Sequence, residues 1–272
     1  MFQPLDPERA FGGLNRLYGP DALATLQASH VCVVGVGGVG SWAVEALARS
    51  GVGTLTLVDL DHIAESNLNR QIHALTNTLG QAKVTAMRER IALINPDCRV
   101  HEVEEFVDAD NVANLIGTLP THAVIVDACD DGRAKIALLA YCKRHSYRII
   151  TCGAAGGRRD PTRLRVDDLA RTQGDPIAAK LRANLRRLHG FSRDPKKKFG
   201  IPCVYSDEPI VQPKTALACD TNSAHNNTPQ GLNTTPVGLS CAGYGSSVMV
   251  TASMGMLLAS LVLEELGKRV SP

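Results

Sequence analysis

The segment VCVVGVGGVGSWAVEAL, residues 31–47, constrains this chain more than any other stretch. A β-prone run enters Gly35, Gly37, Gly38 and Gly40, and a helical pattern follows at once. Glycines at that junction let the backbone turn tightly and approach a phosphate, while the opening helix offers unpaired N–H groups and a partial positive charge. Asp59 ends the next apolar run, nineteen residues after Gly40, where a carboxylate takes both hydroxyls of a ribose. Read as packing alone, the glycines would only let a helix lie closely on a strand. With strand, helix and acid in order, they predict a nucleotide site.

Apolar runs at 31–34, 54–58, 100–103, 123–126 and 148–151 alternate with helical patterns such as 41–49 and 83–94. That alternation implies crossovers and a parallel sheet covered on both faces. The expected fold is α/β: a Rossmann-like, mostly parallel sheet flanked by helices, with a basic helical insertion at about 158–200 and a C-terminal strand/helix extension. A length of 272 residues suits one domain over 1–272, with its nucleotide core at 31–157. Short helices before residue 30 carry Arg9 and Arg16.

The insertion holds thirteen Lys and Arg against five carboxylates, a local excess of eight in a chain whose total is only +2. A solvated helix face and contact with a polyanion both account for such a run. Arg182, Arg186 and Arg187 lie on one expected helix and are the first candidates for phosphate contact, with Lys196, Lys197 and Lys198 as the alternative. Between Thr221 and Leu263 there is no charged residue. The polar part, 222–235, reads as loop and is assigned no role. Residues 246–263 are long enough to span a membrane, but five hydroxyl residues dilute them and Glu264 and Glu265 follow, so a helix buried on the sheet is the favoured reading. The eight cysteines form no C-x-x-C pair, and no charged-then-apolar leader opens the chain, so reduced thiols in the cytoplasm are expected.

Nicotinamide and ATP chemistry are separated downstream of the loop. Asp59 and Asp61 are followed by Asn67, Arg70, Gln71 and Lys83. Cleaving a triphosphate requires cations around the phosphates as pyrophosphate leaves, and Arg70 with Lys83 supply them. Each alone reads as a surface residue; together they favour ATP over a hydride-transfer cofactor. The fourth run ends in VIVDACDDGRAK, which puts Asp127, Asp130 and Asp131 where ligands of open sheets bind. Asp130 is preferred for the Mg2+ that accompanies ATP, because Asp127 can cap the following helix.

The set GVGGVG, DLD, SNLNRQ, GQAK and DACDD resembles the ubiquitin-activating-enzyme-like superfamily of ThiF/MoeB type, over about 9–157. That resemblance implies ATP-dependent adenylation of a carboxylate. It implies that Gly38 lies in the phosphate loop, Asp59 binds ribose, Asn67, Arg70 and Lys83 contact phosphates, and Asp130 is the acid on the magnesium side. It also implies a homodimer in which Arg16 reaches the partner's site. RAFGGLNRLYG, NRQIHAL, DPIAAKLR, CVYSDEP and CAGYGSSVMVTASMG, together with the missing zinc pairs, are similar to the branch that dehydrates N6-threonylcarbamoyladenosine beside the anticodon of tRNA. A cysteine desulfurase with its sulfur acceptor is a partner implied by resemblance alone. Cys203, expected in a loop after the insertion, is the candidate if a thioester were used, although ring closure within one molecule needs no protein nucleophile. The alternative within the same chemistry is adenylation of the C-terminus of a ubiquitin-like sulfur carrier. A nicotinamide-dependent oxidoreductase and an idle tRNA- or membrane-binding module are the rivals from other classes.

Overall fold

β1 (His30–Val34) is flanked on both sides by parallel strands, β2 (Thr54–Val58) and β4 (Val124–Asp127). The computed structural model, which describes residues 6–211 and 244–268, continues outward from them. β3 (Arg99–Val103) lies beyond β2, while β5 (Arg148–Cys152) and β7 (Pro202–Ser206) lie beyond β4; all are parallel. β6 (Leu164–Asp168) closes that edge antiparallel to β7, giving the order β3-β2-β1-β4-β5-β7-β6. The five expected strands are therefore present, within one or two residues of their expected ends. The insertion is not wholly helical, since it carries β6. The loop 222–235 and two of the cysteines, Cys219 and Cys241, lie outside the described residues.

The period of two along each strand sorts the core into two layers. Val31, Val33, Leu55, Leu57 and Val126 meet α4 (Gly40–Arg49) and α5 (Lys83–Ile94) on one face. Cys32, Val34, Ile125, Ile149 and Cys203 meet α6 (Val112–Gly117), α7 (Gly132–Arg144) and α8 (Pro176–Leu188) on the other. Three short helices, α1 (Pro7–Phe11), α2 (Gly13–Tyr18) and α3 (Ala22–Gln27), lead into β1. The start of α8 is tied to the sheet by Asp175, which caps it by accepting from Ala178 N at 2.9 Å and also accepts from Ala154 N, just past β5, at 2.9 Å.

α9 (Val248–Gly267) is the helix whose apolar length raises the membrane question, with a mean hydropathy of 1.5. Its residues Val250, Met254, Leu258, Val262 and Leu266 are buried in the same cluster as α4 and the first sheet face. The run is apolar because it fills the space beside α4 over the middle of the sheet. The two helices approach closely at Gly255, where a Cβ would lie 2.5 Å from Val39 O and 2.7 Å from Trp42 Cβ. Gly255→Ala should therefore lower the unfolding free energy by about 1–3 kcal/mol, the usual cost of overpacking. Urea denaturation measures it, and an unchanged midpoint would show that α9 does not seat there.

Candidate nucleotide site

The chain leaves β1 outward to β2 and β3 and returns to β4 on the other side, so a crevice opens at the carboxyl ends of β1 and β4. The glycine loop sits in it. Gly35 adopts φ +86°, and a Cβ there would lie 2.6 Å from Cys129 N, on the segment that follows β4. A Cβ on Gly40 would lie 1.7 Å from Gly35 O. Neither position admits a side chain, so the loop is held tightly between the start of α4 and the end of β4.

Asp59 follows β2 immediately and is buried. Its Oδ2 accepts from Val36 N at 2.7 Å and its Oδ1 from Asp61 N at 2.9 Å. Burial raises its carboxyl above the usual range, against the pull of Lys83 and these two N–H groups. Lys83, the first residue of α5, is also buried; its Nζ lies 2.6 Å from Asp61 Oδ2 and 3.9 Å from Asp59 Oδ1. The structure thus brings Asp59, Asp61 and Lys83 together beside the loop. Each Asp59 oxygen keeps a further lone pair with which to accept a hydroxyl.

Asn67 is buried, and its Oδ1 accepts from Ala64 N at 3.1 Å, fixing the turn that presents Arg70. The Arg70 guanidinium donates to Ser66 O at 2.5 Å and Asn69 Oδ1 at 2.9 Å. Partial burial lowers its pKa, and the charge of Asp130 opposes that shift. Arg70 and Asp130 therefore lie within electrostatic reach of each other. Gln71 is buried alongside Gly37, and its Oε1 has no hydrogen-bond partner among the described residues.

The three acids after β4 have different fates. Asp131, not Asp127, caps α7, accepting from Arg133 N at 2.7 Å and Ala134 N at 2.8 Å. Asp127 corrects the expectation of a cap: it is fully buried, 2.9 Å from the Nζ of an equally buried Lys135, and accepts from Thr151 Oγ1 at 2.5 Å. Asp130 is exposed at the site. Arg16 is exposed on α2. Cys203 is a second correction: it lies inside β7 rather than in a loop, opposite Thr151, fully buried, and burial pushes its thiol well above the usual range. A thiol so placed lacks the thiolate character of a nucleophile.

His73 is a site residue to which sequence reasoning gives no role, although it lies within the NRQIHAL motif. Its Nε2 donates to Val36 O at 2.8 Å, while Val36 N donates to Asp59. In a trans peptide the carbonyl and the next N–H point in opposite directions. Holding the Val36 carbonyl at His73 therefore turns the Gly37 N–H away from His73.

A profile of the ThiF family matches residues 13–269. The chain belongs to the ThiF family. Within it, the chain is 42% identical to the tRNA threonylcarbamoyladenosine dehydratase of Haemophilus influenzae, over 97% of its own length and 95% of the relative's. The crystal structure of E. coli tRNA N6-threonylcarbamoyladenosine dehydratase, TcdA, in complex with ATP superposes with a TM-score of 0.82 at 42% identity, covering 97% and 96% of the two chains. The complex of that enzyme with AMP gives 0.83 at 42% identity, covering 97% of each chain. This member of the family is thus matched along its insertion and α9 as well as its nucleotide core.

Burial lowers the imidazole of His73 to about 4. Above pH 6.5 the group is neutral whether the chain is folded or not. Between pH 6.5 and 4 the unfolded chain takes a proton that the folded one refuses, so stability should fall by up to about 3 kcal/mol. His73→Gln keeps a donor and should lose this part of the acid sensitivity in denaturant titrations at about pH 7 and about pH 4.5. Equal sensitivity in both proteins would assign the effect to other groups.

Proposed function

We propose that this chain is an ATP-dependent tRNA dehydratase acting, as one adenylating domain in the cytoplasm, on N6-threonylcarbamoyladenosine next to the anticodon. The observation that carries the reading is the likeness along nearly the whole length to relatives of that name, one of them crystallised with ATP and with AMP. The site's chemistry agrees. Asp59 accepts the ribose hydroxyls, the loop N–H groups meet the phosphates, and Arg70 with Lys83 carries the positive charge that the departing pyrophosphate requires. The threonyl carboxylate attacks the α-phosphorus, the bond to pyrophosphate breaks, and an acyl-adenylate forms. The ureido group of the same nucleoside then attacks the acyl carbon, closing the ring and expelling AMP. Both partners of that second step sit in one molecule, so no protein thiol is needed. The buried Cys203 accords with that route.

Mg2+ fits the acids present. Asp127 and Asp131 are committed to the fold, whereas Asp130 is exposed beside Arg70. One carboxylate together with substrate phosphates is a common magnesium environment. Bound by Asp130 and the phosphates, the ion would neutralise charge that builds up as pyrophosphate departs.

Arg16 acts in the partner's site of a homodimer. Its neighbours Leu17 and Tyr18 are 73% and 52% exposed, so α2 offers an uncovered apolar surface for a second copy.

The tRNA surface differs from the one expected. Arg182 is engaged with Thr172 Oγ1, and Arg186 donates to Ser192 O at 3.1 Å with its guanidinium 5.3 Å from the Phe199 ring centre. Both are packing residues, and only Arg187 of that trio is exposed. Lys196, Lys197 and Lys198 are fully outward, near Lys143, whose Nζ contacts Gly200 O at 3.4 Å. This corner lies where β7 begins, at the end of the sheet opposite the glycine loop. α8 spans roughly 20 Å between the two ends. The corner holds the body of the RNA, away from the reacting nucleoside.

Three outcomes test this reading. Asp130→Ala should abolish AMP and pyrophosphate release with modified tRNA while leaving the melting temperature unchanged; near-normal turnover removes the assigned role. Inactive Arg16→Ala and Asp130→Ala subunits, mixed and exchanged, should regain activity, because one mixed site holds both residues. Changing Lys196, Lys197 and Lys198 to Gln should flatten the dependence of log tRNA affinity on log salt by about 0.7–0.9 for each phosphate no longer neutralised, without altering ATP affinity. An unchanged slope would move the RNA elsewhere.

A further inference from the structure

Arg158 follows β5 across a run of small residues, Gly153 to Gly157, at the same edge of the sheet as the nucleotide loop. It is only 2% exposed and heads the largest side chains fully buried in the described residues. Its Nη2 donates to Gly174 O at a long 3.4 Å, and its Nε and Nη1 have no hydrogen-bond partner among the described residues. A guanidinium does not escape this situation by losing its proton, as a buried lysine can.

The nearby carboxylates are committed elsewhere. Asp175 accepts from Ala154 N and Ala178 N. Asp207 feels the charge of Arg158 but pairs with Arg163 at 2.5 Å and Arg165 at 3.2 Å. Glu208 accepts from Arg159 N and Asp160 N. A charged group with unmet donors, shielded from water, is costly in the folded state. The ligand that satisfies it best is an oxyanion able to accept charge-assisted hydrogen bonds.

We propose that Arg158 is the receptor for the carboxylate that the enzyme activates. β4 and β5 are in register at their carboxyl ends, Asp127 opposite Thr151. A nucleotide in the crevice between β1 and β4 leaves the ends of β5 and β7 to the second substrate. Arg158 stands on that side, where one carboxylate oxygen is held while the other turns toward the α-phosphorus. This inference rests on the dehydratase reading and assigns a residue that reading leaves without a role.

The test uses two anticodon stem-loop oligoribonucleotides, one carrying N6-threonylcarbamoyladenosine and one whose threonyl carboxylate is replaced by a primary alcohol. Their phosphates are identical, so any difference reports the carboxylate alone. With α,β-methylene-ATP present to block turnover, the full-length enzyme should bind the acid at least tenfold more tightly than the alcohol. Arg158→Gln should bind both equally, with the affinity for the alcohol unchanged. Because it removes a buried cation with unmet donors, the variant should melt no lower than the parent. Should it fail to fold, Arg158→Lys takes its place; it keeps the charge, loses the planar donor array and should narrow the gap at least threefold. A preserved gap in the folded variant, or no gap in the parent, overturns the proposal. Failure of the parent to convert the acid oligonucleotide with ATP would instead sink the dehydratase reading itself. Conversion together with a preserved gap sinks only the role of Arg158.

Discussion

A lysine of α7 and an aspartate of β4 meet where the helix packs on the sheet, and much of the site is arranged around them. Lys135, on α7, is 1% exposed, and Asp127, at the last position of β4, is wholly buried. Burial alone would depress the lysine, but the Asp127 carboxylate beside it holds its pKa above the ordinary range, so Lys135 keeps its proton. Thr151 of β5 and the Cys129 thiol complete the carboxylate's partners, at 2.5 and 3.0 Å. Such pairs seldom add net stability, but removing one member strands a charge and costs about 3–5 kcal/mol. What this one specifies is position. It joins β4, β5 and α7 at a single point, three residues before Asp130.

The glycine loop is fixed by the same kind of economy. Val36 gives its N–H to Asp59 and its carbonyl to His73, so one residue is held on both sides. Gly35 lies too close to the segment after β4 for a side chain, which joins the loop to the strand that Lys135 and Asp127 anchor. Asp59, the glycine loop and the segment that carries Asp130 are thus tied to one another through the ends of β1, β2 and β4. A site that develops charge at the α-phosphate benefits from dipoles already in place before the substrate arrives.

The parts of this design legible in the sequence are those written in local patterns. β1, β2, β4 and β5 stand out because each is a compact apolar run bounded by turn residues or a helical period, whereas the edge strand β3, RVHEV, shows only as two valines and buries none of its residues. β6 does not: LRVDD has one buried residue and lies among arginines, because it is an edge strand with a wet face. β7 reads as loop because Cys203 follows a proline and precedes a polar stretch; only its pairing with β5 and β6 makes it a strand. The motif residues Asp59, Asp61, Lys83, Arg70 and Asp130 do converge. Lys135 is hidden, since a lysine in GRAKIALLAY reads as a solvated helix position until Asp127 is seen beneath it. Arg182 and Arg186 mislead in the opposite direction. Their spacing marks a shared helix face, but it does not say that Thr172 and Phe199 occupy that face.

The seat of α9 bears on how the chain comes to be folded as it is made. Thr251 and Trp42 both reach the Arg70 carbonyl, and Gly255 lies against the first turns of α4. The glycine loop and α4 are therefore completed by an element about two hundred residues further along the chain. At a synthesis rate of about 5–20 residues per second, that is a wait of roughly 10–40 seconds. During it, the side of α4 that packs on α9 is uncovered, while its other side already lies on the sheet. The nascent chain thus carries an incomplete candidate pocket until α9 emerges.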